Sequence, residues 1–279
     1  MKKLSIITIN YNDADGLKKT IESVINQSFK DFEYIVIDGN SSDSSKEVLE
    51  EFKDKIDIAI SEPDSGIYNA MNKGASFASG QYLLFLNSGD KLHNNEVLEE
   101  LFSLDPSADI VSSRCLDYDK KRIYIKIPPK YISLYTFRRG SIPHPSSIIK
   151  TEIFNKVGGF IEKYRIMSDW CFFIDALIIN RCTYETTKII LTDFNRYGIS
   201  STQGSSELDD TTLFLKQRFG SILNDYGNLE DEALFNVCYW ISSSKGLKKK
   251  FLYFPYKVIN RIFNLRNNLN KMIGVKRIK

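Results

Sequence analysis

The first 110 residues alternate between short apolar runs and amphipathic segments, and this alternation restricts the fold more than any other feature. Apolar, often β-branched runs predict five strands, at 4–9, 32–37, 56–60, 82–86 and 109–112. Apolar residues at helical spacing predict helices between them, over 14–27, 43–52, 67–78 and 96–104. Strands that alternate with helices form a mostly parallel sheet with helices on both faces. We therefore expect an α/β fold.

The pattern changes after residue 112. Residues 114–127 predict a β-hairpin that turns at 119–121, and residues 183–193 predict another strand pair or an edge strand. Helices are predicted over 151–157 and over 169–179, the second capped by Ser168. Beyond residue 204 only helices are predicted, at about 207–225, 229–242 and 256–273. The chain is thus expected to contain a main domain, 1–204, and a helical C-terminal extension, 205–279.

The composition favours a cytoplasmic protein. No run reaches the roughly 20 apolar residues that a membrane-spanning helix needs. The apolar stretch near the N-terminus is too brief for a secretory signal. The four cysteines are scattered without a CxxC pair, which indicates reduced thiols.

The C-terminal tail is basic and amphipathic. Residues 245–279 contain 11 Lys and Arg, and no acidic residue follows Glu232. Apolar residues recur at helical spacing from Val258 to Met272. Such a helix suits an anionic membrane interface and would make the protein peripheral to the cell membrane. Packing on the main domain or in a homodimer is the alternative. Nucleic acid is a poor candidate partner, because no binding motif accompanies the basic residues.

Polar side chains follow four successive predicted strands. In an open parallel sheet, ligands bind at the carboxyl ends of the strands. Turns are always polar, but four polar loops along one sheet edge indicate a binding site. These loops are TINYND, IDGNSSDSS, SEPDSGIYNAMNKG and NSGD.

The chemistry of these loops indicates a nucleotide diphosphate held with a metal ion. The dinucleotide fingerprint GxGxxG and the Walker motif GxxxxGK[ST] are both missing after the first strand. Carboxylates and amides suit a base and a ribose. One carboxylate beside a diphosphate suits Mg²⁺ or Mn²⁺, since these ions combine few protein oxygens with phosphate oxygens and water.

Two long stretches, LSIITINYNDADGLKKTIESVINQSFKDFEYIVIDGNSSDSS and SEPDSGIYNAMNKGASFASGQYLLFLNSGD, resemble family 2 glycosyltransferases of the GT-A fold. The resemblance covers residues 3 to about 200 and is closest to bacterial members that build capsule, lipopolysaccharide or exopolysaccharide. It implies an inverting enzyme that moves a sugar from a nucleotide-diphosphate donor to a hydroxyl of a glycan or lipid-linked glycan. We expect the donor to be a UDP-sugar. Residues 1–110 would bind the donor and 111–204 the acceptor.

The resemblance also assigns residues to the nucleotide-sugar site. It implies that the loop after the first strand and the carboxylate after the second hold the nucleoside. His144, in a loop flanked by prolines, is expected to contact the donor phosphates or the acceptor. The full set of expected donor-site residues is Thr8, Asn10, Tyr11, Asp38, Asp64, Asn72, Lys73, Asn87 and His144.

The expected metal ligand is Asp90. The family's Asp-x-Asp motif aligns with Asn87 and Gly89, so both motif carboxylates are absent and Asp90 is the remaining anion. The resemblance implies that Asp90, helped by Asn87, holds Mn²⁺ or Mg²⁺ on the diphosphate. The alternative is that Asp90 caps the following helix or only forms a turn.

The expected general base is Asp169. An inverting transferase needs a base that removes a proton from the acceptor hydroxyl, and a carboxylate at a helix start can serve. RIMSDWCFF resembles the family's motif with that carboxylate. The alternative is a helix acid of purely structural value. The adjacent Trp170 suits either a sugar face or the core.

Two rival functions share this α/β sheet. A sugar nucleotidyltransferase would need a basic, glycine-rich loop for a triphosphate, and none is found near the N-terminus. A catalytically inactive nucleotide-binding or scaffold protein is the second rival, and the incomplete metal motif favours it slightly.

Overall fold

The computed structural model of the protein describes residues 1–118, 123–195 and 207–220. Within them the chain forms one mixed sheet of nine strands. The strands are β1 (Leu4–Asn10), β2 (Phe32–Asp38), β3 (Ile58–Ser61), β4 (Tyr82–Phe85), β5 (Lys91–Leu92), β6 (Ile110–Tyr118), β7 (Ile123–Lys126), β8 (Ser147–Lys150) and β9 (Tyr184–Asn195).

Helices connect the strands. They are α1 (Ala14–Ile25), α2 (Ser45–Glu51), α3 (Ile67–Phe77), α4 (Val97–Ser103), α5 (Leu134–Arg139), α6 (Thr151–Val157), α7 (Ser168–Ile174) and α8 (Glu207–Phe219). A π-helical turn, Asp175–Ile179, continues α7. In the described ranges no helix has the length and apolarity needed to cross a lipid bilayer.

The order of strands in the sheet is β3-β2-β1-β4-β8-β6-β9-β5, with β7 paired to β6. Strands β1 to β4 are mutually parallel, so their carboxyl ends meet at one edge, as the sequence predicts. Strand β8 is antiparallel to both β4 and β6 and joins the two halves of the domain. A single sheet therefore runs through both halves.

The predicted elements of the first half are confirmed, with ends that differ by one or two residues, except that the strand predicted at 109–112 continues to Tyr118 as β6. The short strand β5 is not predicted from the sequence. Three features of the second half differ from the prediction. Strand β8 and helix α5 fall in segments for which no element is predicted, and residues 184–195 form one long strand between β6 and β5, neither a pair nor an edge strand. The Ser168 hydroxyl does not cap α7 but accepts a hydrogen bond from the Ile161 N–H.

Part of the prediction concerns residues that the structure does not describe. The expected turn at 119–121, the helices at 229–242 and 256–273, and the basic tail lie outside the described ranges. One compact unit comprises Met1–Thr211. The division of the chain after residue 204 stays a prediction.

Strand β1 is completely buried and pairs with β2 on one side and β4 on the other. Helix α1 covers one side of the sheet with Leu17, Ile21 and Val24, all fully buried. On the other side α3 approaches β1 closely at Gly74, where an added Cβ would lie 2.5 Å from Cγ2 of Ile7. This close packing fixes the start of α3 beside the carboxyl end of β1.

The start of β4 is held by a carboxylate. Glu33 accepts hydrogen bonds from the N–H groups of Ser79 and Gly80 and from the hydroxyls of Ser5 and Ser79. Gly80 lies against the backbone of β1, and an added Cβ would lie 2.7 Å from both Leu4 C and Ser5 N. Backbone cannot move aside as a flexible side chain can, so this position requires glycine.

We expect Gly80→Ala to lower the free energy of unfolding by about 1–3 kcal/mol, because the extra methyl group forces β4 away from β1. Urea denaturation followed by circular dichroism measures the change. Gly140→Ala is the matched control, because no heavy atom of the described residues lies within 4 Å of the added Cβ and the φ of Gly140, 167°, is extended. The control is expected to stay within about 0.5 kcal/mol of the parent. Equal effects of the two substitutions would contradict the packing argument.

Candidate active site

A cleft of about 1490 Å³ opens at the carboxyl ends of the parallel strands. It brings together residues from loops far apart in the sequence, as the positions of the polar loops predict. Seven of the predicted site residues line it: Asn10, Tyr11, Asp64, Asn87, Asp90, His144 and Asp169. Residues from both halves of the domain therefore face the same space.

Asp38 is fully buried beneath the cleft and does not line it. Its carboxylate accepts hydrogen bonds from the Ser41 hydroxyl (2.6 Å), the Ser61 hydroxyl (2.6 Å) and the Asn10 amide (2.8 Å). Burial alone would raise the pKa of Asp38, but these hydrogen bonds hold it below its usual value. Asp38 thus ties together the ends of β1, β2 and β3, and its contact with a nucleoside stays a prediction.

Two amide oxygens in residues that line the cleft lack a partner. Asn10 donates its side-chain N–H groups to Asp38, Ser41 and Ser45, while its Oδ1 is buried and accepts no hydrogen bond in the described part of the chain. Oδ1 of Asn87 is also buried and accepts no hydrogen bond in the described part of the chain. A buried acceptor without a partner is costly, so each oxygen is suited to a ligand or a metal ion.

Tyr11 and Asp64 lie close together in the wall of the cleft. Tyr11 is 66% exposed. Asp64 accepts a hydrogen bond from the Gly66 N–H (2.9 Å), just before α3 begins. Both side chains crowd Gly39, where an added Cβ would lie 2.6 Å from Asp64 Oδ2 and 3.1 Å from Tyr11 Cδ2. A side chain at position 39 would displace them.

Three other predicted donor-site residues do not line the cleft. Thr8 is buried and accepts a hydrogen bond from the Tyr34 hydroxyl (3.0 Å). Asn72 binds the backbone N–H and C=O of Phe160 and so fastens α3 to the loop before α7. Lys73 pairs with Glu62 at 2.7 Å. Their contact with the donor stays a prediction, and their visible role is to position neighbouring segments.

The NSGD segment forms a β-turn. The Asp90 N–H donates to the Asn87 carbonyl at 3.0 Å, and Gly89 has a φ of 90°. A positive φ at this third turn position is the reason for glycine where the aligned motif has its second carboxylate. The Thr20 hydroxyl accepts from the Gly89 N–H (3.0 Å) and lies 2.6 Å from the Asp90 carbonyl, which fixes the turn on α1.

Asp90 faces the cleft rather than a helix end. Its side chain is buried, and Asp90 lines the cleft with Asn87. Helix α4 begins seven residues later, at Val97, and the side chain of Asn94 accepts from the Glu96 N–H. The structure therefore excludes helix capping by Asp90.

The donor set around Asp90 fits a hard divalent ion that shares its coordination with a ligand. In the described ranges no group of three or more His, Cys, Asp or Glu side chains could enclose a metal ion. One carboxylate and the unpartnered amide oxygen of Asn87 remain. Mg²⁺ and Mn²⁺ accept such oxygen ligands, and phosphate oxygens and water commonly complete their shells.

Asp169 lies in the first turn of α7 and lines the cleft. Its Oδ2 is 3.4 Å from His144 Nδ1, and its Oδ1 is 2.9 Å from the Tyr68 hydroxyl of α3, which also contacts the Ile166 carbonyl. Burial raises the pKa of Asp169, but the hydrogen bond and charge of His144 and the hydrogen bond from Tyr68 lower it below its usual value. The carboxylate is therefore ionised near neutral pH and can accept a proton.

Neighbouring segments hold this group in place. His144 follows Pro143 in a short 3-10 turn that leads into β8, and the Ser147 hydroxyl donates to the Pro143 carbonyl at 2.9 Å. Trp170 donates its indole N–H to the Phe137 carbonyl at 2.9 Å and does not line the cleft. The position of Trp170 thus favours a packing role over a sugar contact.

Sequence reasoning missed several charged residues that line the cleft. Asp13 caps α1 and accepts from the Ser88 hydroxyl, so it joins the loops after β1 and β4. Lys163 and Arg165 come from the loop just before α7, and Asp117 and Lys126 come from β6 and β7. Lys163 and Arg165 stand within six residues of Asp169, and this proximity could have identified them as site residues. Whether Asp117 and Lys126 line the cleft depends on which face of the hairpin is turned to it, and the sequence alone does not show that.

The comparisons with known proteins agree with this geometry. The model of the family "Glycosyl transferase family 2" matches residues 5–176, more than half of the chain. An uncharacterized glycosyltransferase of Mycobacterium tuberculosis is 33% identical over 208 residues, which cover 71% of this chain and 77% of that protein. The putative teichuronic acid biosynthesis glycosyltransferase TuaG of Bacillus subtilis is 33% identical over 101 residues, 35% of this chain and 40% of TuaG.

Among solved structures, TarS 1–349 of S. aureus in complex with UDP-GlcNAc has a TM-score of 0.64 at 19% identity. The match covers 78% of this chain but only 65% of the TarS chain. At this identity the likeness concerns the fold, which is the GT-A fold with its curled central sheet and flanking helices. Family model, relatives and fold agree, and the chain therefore belongs to glycosyltransferase family 2, a family of sugar-transferring enzymes.

Proposed function

We propose that the protein is an inverting glycosyltransferase that moves a sugar from a UDP-sugar to a hydroxyl of a glycan or lipid-linked glycan in cell-surface polysaccharide synthesis. The observation that carries this proposal is Asp169, an ionised carboxylate held by His144 and Tyr68 at the wall of the cleft. The names of TuaG and of the UDP-GlcNAc complex of TarS support the polymer class and the nucleotide.

The donor is proposed to bind along the ends of β1 to β4. Tyr11 offers an exposed aromatic face for the base, and Asp64 offers a carboxylate for hydroxyl groups of the nucleoside. The Asn10 Oδ1 atom would accept a hydrogen bond from the ligand. Lys163 and Arg165 add positive charge to the cleft wall, which suits a diphosphate.

Asp90 and the Asn87 amide oxygen would hold Mn²⁺ or Mg²⁺ against the diphosphate. When bound, such an ion supplies Lewis-acid stabilisation of the charge that develops on the departing UDP. Other residues position these ligands. The Thr20 hydroxyl fixes the turn that contains Asp90, and Asp13 holds the loops after β1 and β4 together.

Asp169 would act as the general base. Its carboxylate would accept the proton of the acceptor hydroxyl while the hydroxyl oxygen forms a bond to the anomeric carbon. The bond from that carbon to the UDP oxygen breaks on the opposite side, and UDP leaves with the electron pair, so the anomeric configuration inverts. Tyr68 and His144 would stabilise the ionised base before the proton moves.

Family membership favours sugar transfer over the nucleotidyltransferase and the inactive scaffold. For the basic tail, which lies outside the described residues, we retain the two earlier hypotheses: contact with an anionic membrane surface, or packing on the domain or in a homodimer. A cytoplasmic enzyme that is peripheral to the membrane would reach a lipid-linked acceptor.

We expect Asp169→Asn to reduce turnover by about 10²–10⁴-fold, because the amide cannot take the proton of the acceptor hydroxyl. Sugar transfer is measured with a panel of UDP-sugars, and UDP affinity is measured by calorimetry. UDP affinity should change little, since Asp169 acts on the acceptor. Asp54→Asn, an exposed acid away from the cleft, is the control and should retain full turnover. Undiminished turnover by Asp169→Asn would exclude this base.

We expect Asp90→Ala to abolish the Mn²⁺ dependence of UDP binding, because it removes the carboxylate that supports the ion. Calorimetric titration of UDP with and without Mn²⁺ measures this without any turnover. Asn87→Ala should weaken the same dependence less, because it removes a neutral ligand. Affinity for UDP in the absence of metal should be nearly equal in all three proteins. If the Mn²⁺ dependence persists in Asp90→Ala, Asp90 serves only the turn.

We expect His144→Gln to move the acidic limb of the kcat/KM profile to higher pH. His144 lowers the pKa of Asp169, so without it the effect of burial is opposed less and the pKa of Asp169 rises. A larger fraction of the base is then protonated at a given low pH. Tyr68→Phe removes the second hydrogen bond and should move the limb in the same direction. A limb that stays in place in both variants would show that these residues do not tune the base.

A further inference from the structure

An exposed apolar surface lies on and beside strand β7. Ile123 is 73% exposed, Ile127 is 67% exposed and Tyr131 is 78% exposed, and Ile125 between them is also exposed. Single exposed apolar side chains need no explanation, but contiguous ones mark interaction sites. We call Ile123, Ile125, Ile127 and Tyr131 the isoleucine edge.

The three isoleucines face away from the cleft. Lys126 and Asp117 line the cleft, and side chains alternate between the two faces of a strand. Ile125 is paired with Leu116 across the β6–β7 ladder, on the face opposite to Asp117. One face of the hairpin therefore closes the active-site cleft while the other presents apolar side chains to solvent.

The segment around the isoleucine edge is strongly basic. Residues 120–150 contain eight Lys and Arg and no Asp or Glu. Of these, Lys130 is exposed and its Nζ lies 5.4 Å from the ring centre of Tyr131, whereas the exposed Lys126 lies on the cleft side of β7 and Lys150 pairs with Asp109. The protein outside this segment has more acidic than basic residues, at 35 against 30. Along the chain, the isoleucines are therefore flanked by basic residues without acidic ones between them.

The combination of charge and apolar area selects the partner. A soluble polyanion would neutralise the lysines but would leave the isoleucines in water. A second copy in a two-fold interface would place like positive charges against each other. An anionic bilayer surface satisfies both components, because lysines meet lipid headgroups while isoleucines and an aromatic ring enter the interface.

We propose that the isoleucine edge docks on a bilayer containing anionic lipid, with its apolar side chains in the interfacial region. This contact site is distinct from the C-terminal tail. Docking on a bilayer does not require that the protein transfers a sugar, and the tests below measure membrane binding rather than sugar transfer. Because the cleft lies on the opposite face of the same hairpin, docking would hold the cleft close to the membrane surface.

The first test is cosedimentation of the full chain with vesicles of phosphatidylcholine alone and with one third phosphatidylglycerol. Ile123→Ser combined with Ile127→Ser should weaken binding to the anionic vesicles about tenfold relative to the parent, since two apolar side chains no longer enter the interface. The matched control combines Phe77→Ser and Leu104→Ser, two apolar residues that are also exposed but lie on other elements. The control should bind as the parent does.

Equal vesicle binding by the hairpin variant and the parent would overturn the proposal. So would equal affinity of the parent for neutral and anionic vesicles. Sedimentation velocity of the parent and the variant, without lipid, examines self-association. A parent dimer that dissociates in the variant, with unchanged vesicle binding, would assign the isoleucine edge to a second copy and overturn the proposal as well.

A second test does not depend on loss of binding. Tryptophan placed at the edge by Ile123→Trp should shift its emission to shorter wavelength on anionic vesicles and be quenched by brominated lipid. Leu104→Trp, on the surface near the end of α4, is the control and should show neither change. Identical responses of the two proteins would exclude insertion of the isoleucine edge.

Discussion

The buried carboxylate of Asp38 is the interaction on which the donor side of the structure depends. A charge without water must be satisfied by hydrogen bonds, and Asp38 obtains them from the ends of β1 and β3 and from the loop after β2. These hydrogen bonds determine where the three loops lie. Asn10, one of the donors, is in turn oriented so that its side-chain oxygen accepts no hydrogen bond from the residues that the structure describes. The hydrogen bonds of Asp38 therefore fix the floor beneath the cleft, and the groups that remain free to bind a ligand line the cleft itself.

A second carboxylate, the half-buried Asp169, has partners from different halves of the domain. Tyr68 belongs to α3 in the donor half, whereas His144 precedes β8 in the acceptor half. The proposed base is thus assembled across the seam between the halves. Asn72 crosses the same seam when it binds Phe160. Contacts across the seam therefore set both the position and the protonation of Asp169.

The donor half could be predicted from the sequence because local periodicity specifies it. Buried parallel strands appear as continuous apolar runs, and amphipathic helices separate them. Strand β8 escaped prediction because four residues give no period, and its pairing with β4 and β6 comes from distant segments. The positions of the motifs identified seven residues that line the cleft. They also selected Asp38, Thr8, Asn72 and Lys73, which do not line it and whose side chains bind protein groups instead. Burial and partner choice are tertiary properties, so a polar loop residue does not reveal them.

The continuous sheet limits how the substrate preference of the protein could evolve. Because β8 joins β4 to β6, the two halves have no flexible linker between them and cannot close on each other as separate lobes. Exclusion of water during a reaction would have to come from surface loops. Exchange of a whole half with a related protein would break the β4–β8 and β5–β9 ladders, which join strands of the two halves. New acceptor preferences are therefore expected to arise by substitutions in loops such as 141–146 and 160–167, with the sheet left intact.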